Sequence, residues 1–333
     1  MHQLHQLGFL HLIKRTILIH LMIISLFSTI SLSLTTRMVA KVSYDGSKFY
    51  GFQRGSKDTR TCQSTLEEKL SKYFNYPDLK VVAASRTDRG VHAYGQVIHF
   101  DIPIRSIPDD CTIPDAITLT QAINCTDLII TQCNIAPTGL LPIQISDGLP
   151  FHAITNAKYK HYKYKFIIND NVKIDPFDRN YIADIHHHIR IKRKSYFDIN
   201  KFKQCLALFV GTHDFKAFGN QLKKRSDLVE SYKNETFNSN RTIYNITVNE
   251  EKRVTFGDND TIYSVDFFLN GAMYKMIRNI MQAAIEVAYG ETSLEYVSHL
   301  LTNCTSRDDS SILTAPACGL YLVNVYYDEV LFS

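Results

Sequence analysis

The amino-acid sequence predicts an α+β fold of two ferredoxin-like-derived lobes with mixed or antiparallel sheets. Three observations carry that expectation. The order strand–helix–strand–strand–helix–strand can be traced from Met38 to Gln132, the pattern of a ferredoxin-like unit. A looser version of that order runs from Ala157 to Tyr327. No glycine-rich dinucleotide or phosphate loop occurs in either, which argues against a doubly wound parallel sheet. The length of 333 residues, at about 150 residues per domain, also suggests two units. The chain divides into an extension over 1–37, a first lobe over 38–145 and a second over 146–333.

Composition bounds the class. With 45% hydrophobic and 21% charged residues and only 14 Gly and 9 Pro, the chain can bury a sizeable core and is not collagen-like, low-complexity or wholly disordered. Seven cysteines, with no Cys-x-x-Cys pair, argue against a disulfide scaffold or a cysteine zinc site. The net charge is +4, but residues 1–37 hold Lys14, Arg15 and Arg37 and no acid, leaving 34 basic against 33 acidic residues elsewhere. Overall charge alone does not announce a nucleic-acid partner.

The elements follow from local pattern. Met38 to Tyr44 alternates, is β-branched, and ends at the turn pair Asp45-Gly46. Ser64-x-x-Glu67 reads as a capping box, followed by Leu66, Leu70, Tyr73 and Phe74 at helical spacing. Val81 to Ala84 and Gln96 to Phe100 read as strands joined by Ser85 to Gly95, with a helix near Pro114 to Asn124 and a strand at Leu128 to Gln132. Thr138 to Leu149, rich in turn residues, reads as the connection between lobes. In the second lobe, Ala157 to Ile168, Arg241 to Val248, Tyr263 to Leu269 and Tyr321 to Tyr327 read as strands, and Gly271 to Tyr289 is the clearest helix. Residues 186–194 and 223–240 read as polar insertions.

The N-terminal extension has its own pattern. Lys14-Arg15 precedes a 19-residue, mostly apolar run from Thr16 to Leu34. Three readings fit it: a signal or organelle presequence, a retained membrane anchor, or sequence upstream of a start at Met38.

Three places carry chemistry that a plain core does not need. In the loop Ser85-Arg86-Thr87-Asp88-Arg89-Gly90-Val91-His92, one carboxylate sits among two arginines and a histidine between two apolar strands. Such a loop suits an ion-paired surface turn. It equally suits a nucleophilic aspartate whose pKa the guanidinium groups lower. On the strand after Ala157, Lys160, Tyr162 and Tyr164 share one face, with His161 and Lys163 on the other. Core aromatics with solvated lysines fit that pattern, as does a surface that stacks a base and holds phosphate. In the third place, the helix after Gly271, Met273, Met276, Ile277, Ile280, Ala284 and Val287 form an apolar stripe, and Lys275, Asn279, Gln282 and Glu286 a polar one. Arg278 lies on the boundary, free to snorkel to solvent or to meet a carboxylate.

Together these segments resemble the tRNA pseudouridine synthases of the TruA type. Tyr44-Asp45-Gly46, Phe49-Tyr50-Gly51-Phe52-Gln53 and Thr61-Cys62-Gln63-x-x-Leu66-Glu67 are similar to the family's opening motifs. Ser85 to Ala93 with Gly95-Gln96-Val97 resembles the motif of the catalytic aspartate. Phe151-His152-Ala153, Tyr162-x-Tyr164, Gly211 to Phe215, Arg241-Thr242-Ile243, Met276 to Ile280 and Ala315 to Leu322 complete the match in order.

The resemblance implies a pseudouridine synthase fold with an RNA-binding cleft between the lobes. It further implies an isomerase that turns uridine into pseudouridine in the anticodon stem-loop of tRNA, among positions 38–40. Asp88 would be the nucleophile, attacking the uracil ring or the ribose C1′. Tyr162 would stack on the uracil and assist removal of its C5 proton, and Arg278 would pair with Asp88. Arg86, Arg89, His92, Gln96, Lys160 and Lys163, with Tyr162, would contact the RNA. No group leaves the substrate, so no metal or organic cofactor is implied, and His186-His187-His188 reads as a solvated loop rather than a metal site. Relatives suggest a homodimer. A presequence would place the enzyme in a plastid or mitochondrion, a start at Met38 in the cytoplasm or nucleus, and a retained anchor at a membrane.

The chain departs from the family at Ile154, where an arginine is usual after Phe-His-Ala, in the long segment from Asn124 to Phe151, and in the two insertions. Two other readings compete: a catalytically silent RNA-binding relative, and a secreted hydrolase built on Asp88, His92 and Arg86. The intact Arg86-Thr87-Asp88 opposes the first, and the absence of a nucleophile-elbow motif opposes the second.

Overall fold

The structure is a computed structural model that describes residues 35–55, 59–103, 114–136, 151–168, 175–185, 196–219, 238–255, 258–303, 306–328 and 331–332. Strand β1 (Thr35–Tyr44) pairs antiparallel with β3 (His92–Pro103) on one side and β4 (Leu128–Ile135) on the other. It starts at Thr35, ahead of the boundary at 37 expected from sequence. The Arg37 side chain fixes that extra length, with Nε 2.7 Å from Asp101 and Nη1 donating to the Phe151 carbonyl at 2.7 Å.

Helix α1 (Cys62–Tyr73) is capped differently from the sequence reading. Thr61 is the N-cap and exchanges hydrogen bonds with Ser64. Glu67 turns inward instead, accepting from the Val81 amide at 3.1 Å, Gln63 Nε2 at 3.1 Å and Arg54 at 2.6 Å. A Glu three residues after Ser64 fits a capping box, but burying a carboxylate at 3% exposure requires these donors more than the helix start requires a second cap.

The first half closes with β2 (Val82–Ala83) on β3 and α2 (Ala116–Ile123) before β4. Its strand order β4–β1–β3–β2 is that of a ferredoxin-like unit. The second half repeats it. Strands β5 (Tyr159–Ile168), β8 (Asn240–Thr255), β9 (Asp258–Leu269) and β10 (Leu320–Tyr326) lie in the order β10–β5–β9–β8. Short β6 (Ala183–Asp184) joins β5, and β7 (Gly211–Asp214) adds an edge beside β8. Helices α3 (Ile199–Ala207), α4 (Met276–Ala288) and α5 (Leu294–Asn303) accompany this half.

The halves share one sheet. The last strand, β10, runs parallel to the first residues of β3 and antiparallel to β5. One edge of β3 therefore has two neighbours: β10 opposite His92 and Ala93, and β2 opposite Ile98 and His99. Between the two partners the chain segment 84–91 leaves the sheet.

Alternation along β5 buries Lys160, Tyr162, Tyr164 and Phe166 on one face. Phe166 packs against Phe197 and Phe202 of the α3 region at 6.2 and 5.4 Å between ring centroids. Helix α4 departs from its expected amphipathic form. Asn279 and Gln282 of the polar stripe are 0% and 1% exposed. The segment before β10 covers that side of α4, with Thr314 donating to Asn279 Oδ1 at 2.7 Å, while Asn279 donates to the Phe218 carbonyl. The connector Thr138–Leu149, the insertion 186–194 with His186-His187-His188, and 223–237 of the second insertion lie outside the described residues. Among the described residues no helix is long and apolar enough to cross a membrane.

Candidate active site

The loop carrying Asp88 is held from several directions. Gln96, 0% exposed, clamps Ser85 by accepting from its amide at 3.2 Å and donating to its carbonyl at 2.6 Å. Tyr44 Oη and Thr87 Oγ1 lie 2.7 Å apart, and the Phe52 amide donates to the Thr87 carbonyl at 3.0 Å. Lys160 Nζ donates to the Ala84 carbonyl at 2.6 Å. Gly51, at φ 95°, leans on this loop so closely that a Cβ would lie 3.1 Å from the Thr87 oxygen. Gly90 turns the loop back at φ 81°, a conformation that costs glycine little.

Asp88 itself meets Arg278 of α4. Nη1 donates to Oδ2 at 2.9 Å, and each side chain is 13% exposed. The guanidinium is anchored in turn, its Nε donating to the Ala315 carbonyl at 2.7 Å. The lowered Asp88 pKa expected from sequence is corrected here. Burial pushes the carboxyl above its ordinary value, and the attraction of Arg278, with a smaller one from Lys275, offsets only part of that push. Tyr162 stands beside the pair, with its hydroxyl 2.6 Å from Ser85 Oγ. Its pKa is pushed up to about 12, mainly by burial and further by the nearby Asp88 charge, so the phenol stays neutral.

The remaining residues expected to contact RNA separate into three groups. Arg86 and Arg89 are exposed on the loop, and the Arg89 guanidinium lies 4.2 Å from the centroid of the Tyr50 ring. Gln96 and Lys160 are buried beneath the loop and brace it. Burial lowers the Lys160 pKa to about 8.

Lys163 and His92 are not brought to Asp88 at all. Strand alternation turns Lys163 to the opposite face, where its ammonium is 3.4 Å from Asp266. His92 accepts from the Gly46 amide through Nδ1 at 3.1 Å, and Nε2 lies 2.8 Å from the Asn180 carbonyl, so the proton belongs on Nε2. Burial lowers its pKa, and its ring stacks on Tyr321 at 4.8 Å. Both residues line a separate cavity of about 620 Å³ with Tyr94, Tyr181 and Tyr321. A register shift between Val42 and Tyr44, opposite Gln96 and Ala93, puts an extra residue into β3. His92 and Gln96 would share a face in a regular strand and here do not.

Sequence reasoning missed Ser85, Thr87 and Tyr44 as site residues, although all three stand in the quoted motifs. It also missed Tyr274, whose pKa is raised by burial and then by the Asp88 charge. Lys275 was placed on the polar stripe of a helix; it is instead the N-cap of α4, at φ 62° and ψ 3°, with no side-chain cap bond. No local pattern marks a non-glycine residue for that left-handed conformation.

A half-buried carboxylate, a guanidinium and a tyrosine from three segments can support nucleophilic attack on a planar ring held against the phenol. Comparison with known proteins identifies the family. The family model described as tRNA pseudouridine synthase matches residues 40–116 and 206–328. The chain is 30% identical over 297 residues to tRNA pseudouridine synthase A of Lactobacillus helveticus, covering 89% of this chain and 95% of that protein. It is 31% identical over 302 residues to the enzyme of that name from a Geobacillus strain, covering 89% and 100%. A third, from Anoxybacillus flavithermus, is 32% identical over 295 residues, covering 88% and 99%. This chain belongs to the tRNA pseudouridine synthase family, of the TruA type, and is an isomerase that forms pseudouridine in tRNA.

Proposed function

We propose that Asp88 is the nucleophile of this isomerase and that its target uridines lie in the anticodon stem-loop, among positions 38–40. The reading rests on one observation above the others: Asp88 is only 13% exposed, paired to a single anchored guanidinium, and adjacent to the buried Tyr162. The target uridine leaves its stack, at a cost of a few kcal/mol, and its uracil lies along the Tyr162 ring. Asp88 attacks the uracil ring or the ribose C1′, and the N1–C1′ bond breaks. The freed uracil turns in place and C5 bonds to C1′. The C5 proton leaves, N1 takes up a proton, and the aspartate is released unchanged, so the product is an isomer of the substrate.

Arg278 aims the carboxylate and favours its ionised form against the push of burial. Tyr162, neutral and with its hydroxyl 2.6 Å from Ser85 Oγ, stacks on the uracil and assists removal of its C5 proton. Exposed Arg86 and Arg89 meet the RNA from the loop. By the same family likeness two copies of the chain hold one tRNA. Delivery to an organelle with its own tRNAs reconciles the basic and apolar stretch Lys14 to Leu34 with such a substrate. Carbodiimide labelling and primer extension on tRNA transcripts treated with the protein test the target assignment. Stops confined to the anticodon stem-loop are expected, and stops only in another arm would overturn it.

A further inference from the structure

We propose that Tyr50 and Tyr274, each backed by a cation, stack the nucleotides that flank the flipped uridine; the proposal rests on the reading of Asp88 as the reacting centre. Exposed aromatic residues are ordinary when scattered singly. These two are set apart by what surrounds them. Tyr50 is 56% exposed and Tyr274 is 39% exposed. Arg89 lies 4.2 Å from the centroid of the first ring and Lys275 Nζ 5.2 Å from that of the second. Both are within cation–π range, and a cation over one face leaves the other for a base.

Both rings are tied to the loop or helix that carries the reacting groups. A Cβ at Gly51, next to Tyr50, would lie 3.4 Å from the Asp88 carbonyl carbon and 3.3 Å from the Arg89 amide. The nearby Asp88 charge, after burial, raises the Tyr274 pKa. Tyr274 precedes Lys275, which holds a left-handed conformation at the start of the helix bearing Arg278. Strain of this kind in a non-glycine residue collects at functional sites. When one uridine is extruded, both neighbouring bases lose a stacking partner. One tyrosine from each half of the chain, Tyr50 between β1 and α1 and Tyr274 between β9 and α4, can replace what each neighbour lost.

The test uses the protein with Tyr50→Ala, Tyr50→Phe, Tyr274→Ala and Tyr274→Phe, measuring turnover on tRNA and tRNA retention on filters across a salt series. Each alanine variant is expected to raise KM and the dissociation constant about tenfold, with the loss falling mainly in KM. Each phenylalanine variant should recover to within about twofold. The slope of affinity against salt should stay at the parent's value in all four, because a lost stack releases no counterions, whereas a lost phosphate contact flattens it by about one. Tyr196→Ala, another exposed tyrosine, controls for general aromatic stickiness and should match the parent. Alanine variants that bind like the parent, or phenylalanine variants as weak as alanine, would overturn the proposal. If the parent turns over no tRNA, the reading of Asp88 fails, and filter retention by the variants still decides the stacking.

Discussion

Asp88 and Arg278 stand 190 residues apart in the chain and meet at 2.9 Å, the carboxylate delivered by a loop of the first half and the guanidinium by α4 of the second. One side chain serves two partners, since Arg278 Nε also holds the Ala315 carbonyl at 2.7 Å. Lysine offers a single point charge and cannot span both. Arg278→Lys is expected to lower single-turnover rates at least tenfold while tRNA retention on filters stays close to the parent's. Parent-like turnover would show that the charge alone suffices.

The pH dependence follows from the raised Asp88 pKa. Activity needs the ionised carboxylate, so kcat/KM should rise with pH through a limb that lies above the ordinary aspartate value. Removing the guanidinium in Arg278→Gln should move that limb to higher pH. Stability runs the other way. A raised folded-state pKa means that Asp88 supports the fold fully below its unfolded value and loses that contribution as pH rises through the folded one. At neutral pH, Asp88→Asn should therefore unfold at the parent's urea midpoint or above it.

Gln96 satisfies both backbone groups of Ser85 while fully buried. Gln96→Leu would leave both without partners, at about 1–3 kcal/mol. The expected outcome is a lower urea midpoint together with faster amide exchange in the loop around Ser85. A midpoint equal to the parent's would mean that the clamp adds nothing.

Lys160 Nζ holds the Ala84 carbonyl at 2.6 Å, the geometry of a brace. Lys160→Met should leave the salt slope of tRNA binding at the parent's value, whereas a phosphate contact would lower it by about one. Its depressed pKa gives a second, signed test. The folded state releases the proton first, so the parent should gain stability relative to Lys160→Met as pH rises from about 8 towards the unfolded lysine value of about 10.4.

The fold was largely legible because each ferredoxin-like unit repeats a simple order of alternation and helical periodicity, from Met38 to Gln132 and again from Ala157 to Tyr327. Motif order likewise pointed to Asp88, Tyr162 and Arg278, which the structure brings together. The illegible parts depend on tertiary partners. The inward turn of Glu67 needs Val81 and Arg54, and the covered polar side of α4 needs Thr314 and Phe218. A single extra residue in β3 separates His92 from Gln96, and no composition or spacing announces it. Lys163 was legible in direction, since alternation already turned it away from Tyr162, but its partner Asp266 lies 103 positions along the chain.

The most direct measurement uses a tRNA transcript tritiated at uridine C5, with the parent and Asp88→Asn compared under single-turnover conditions. Forming the C5–C1′ bond expels that tritium into water. Release is expected from the parent and none above background from Asp88→Asn, with both proteins folded and both retaining tRNA on filters. Release by Asp88→Asn at the parent's rate would contradict the assignment of Asp88 as the nucleophile.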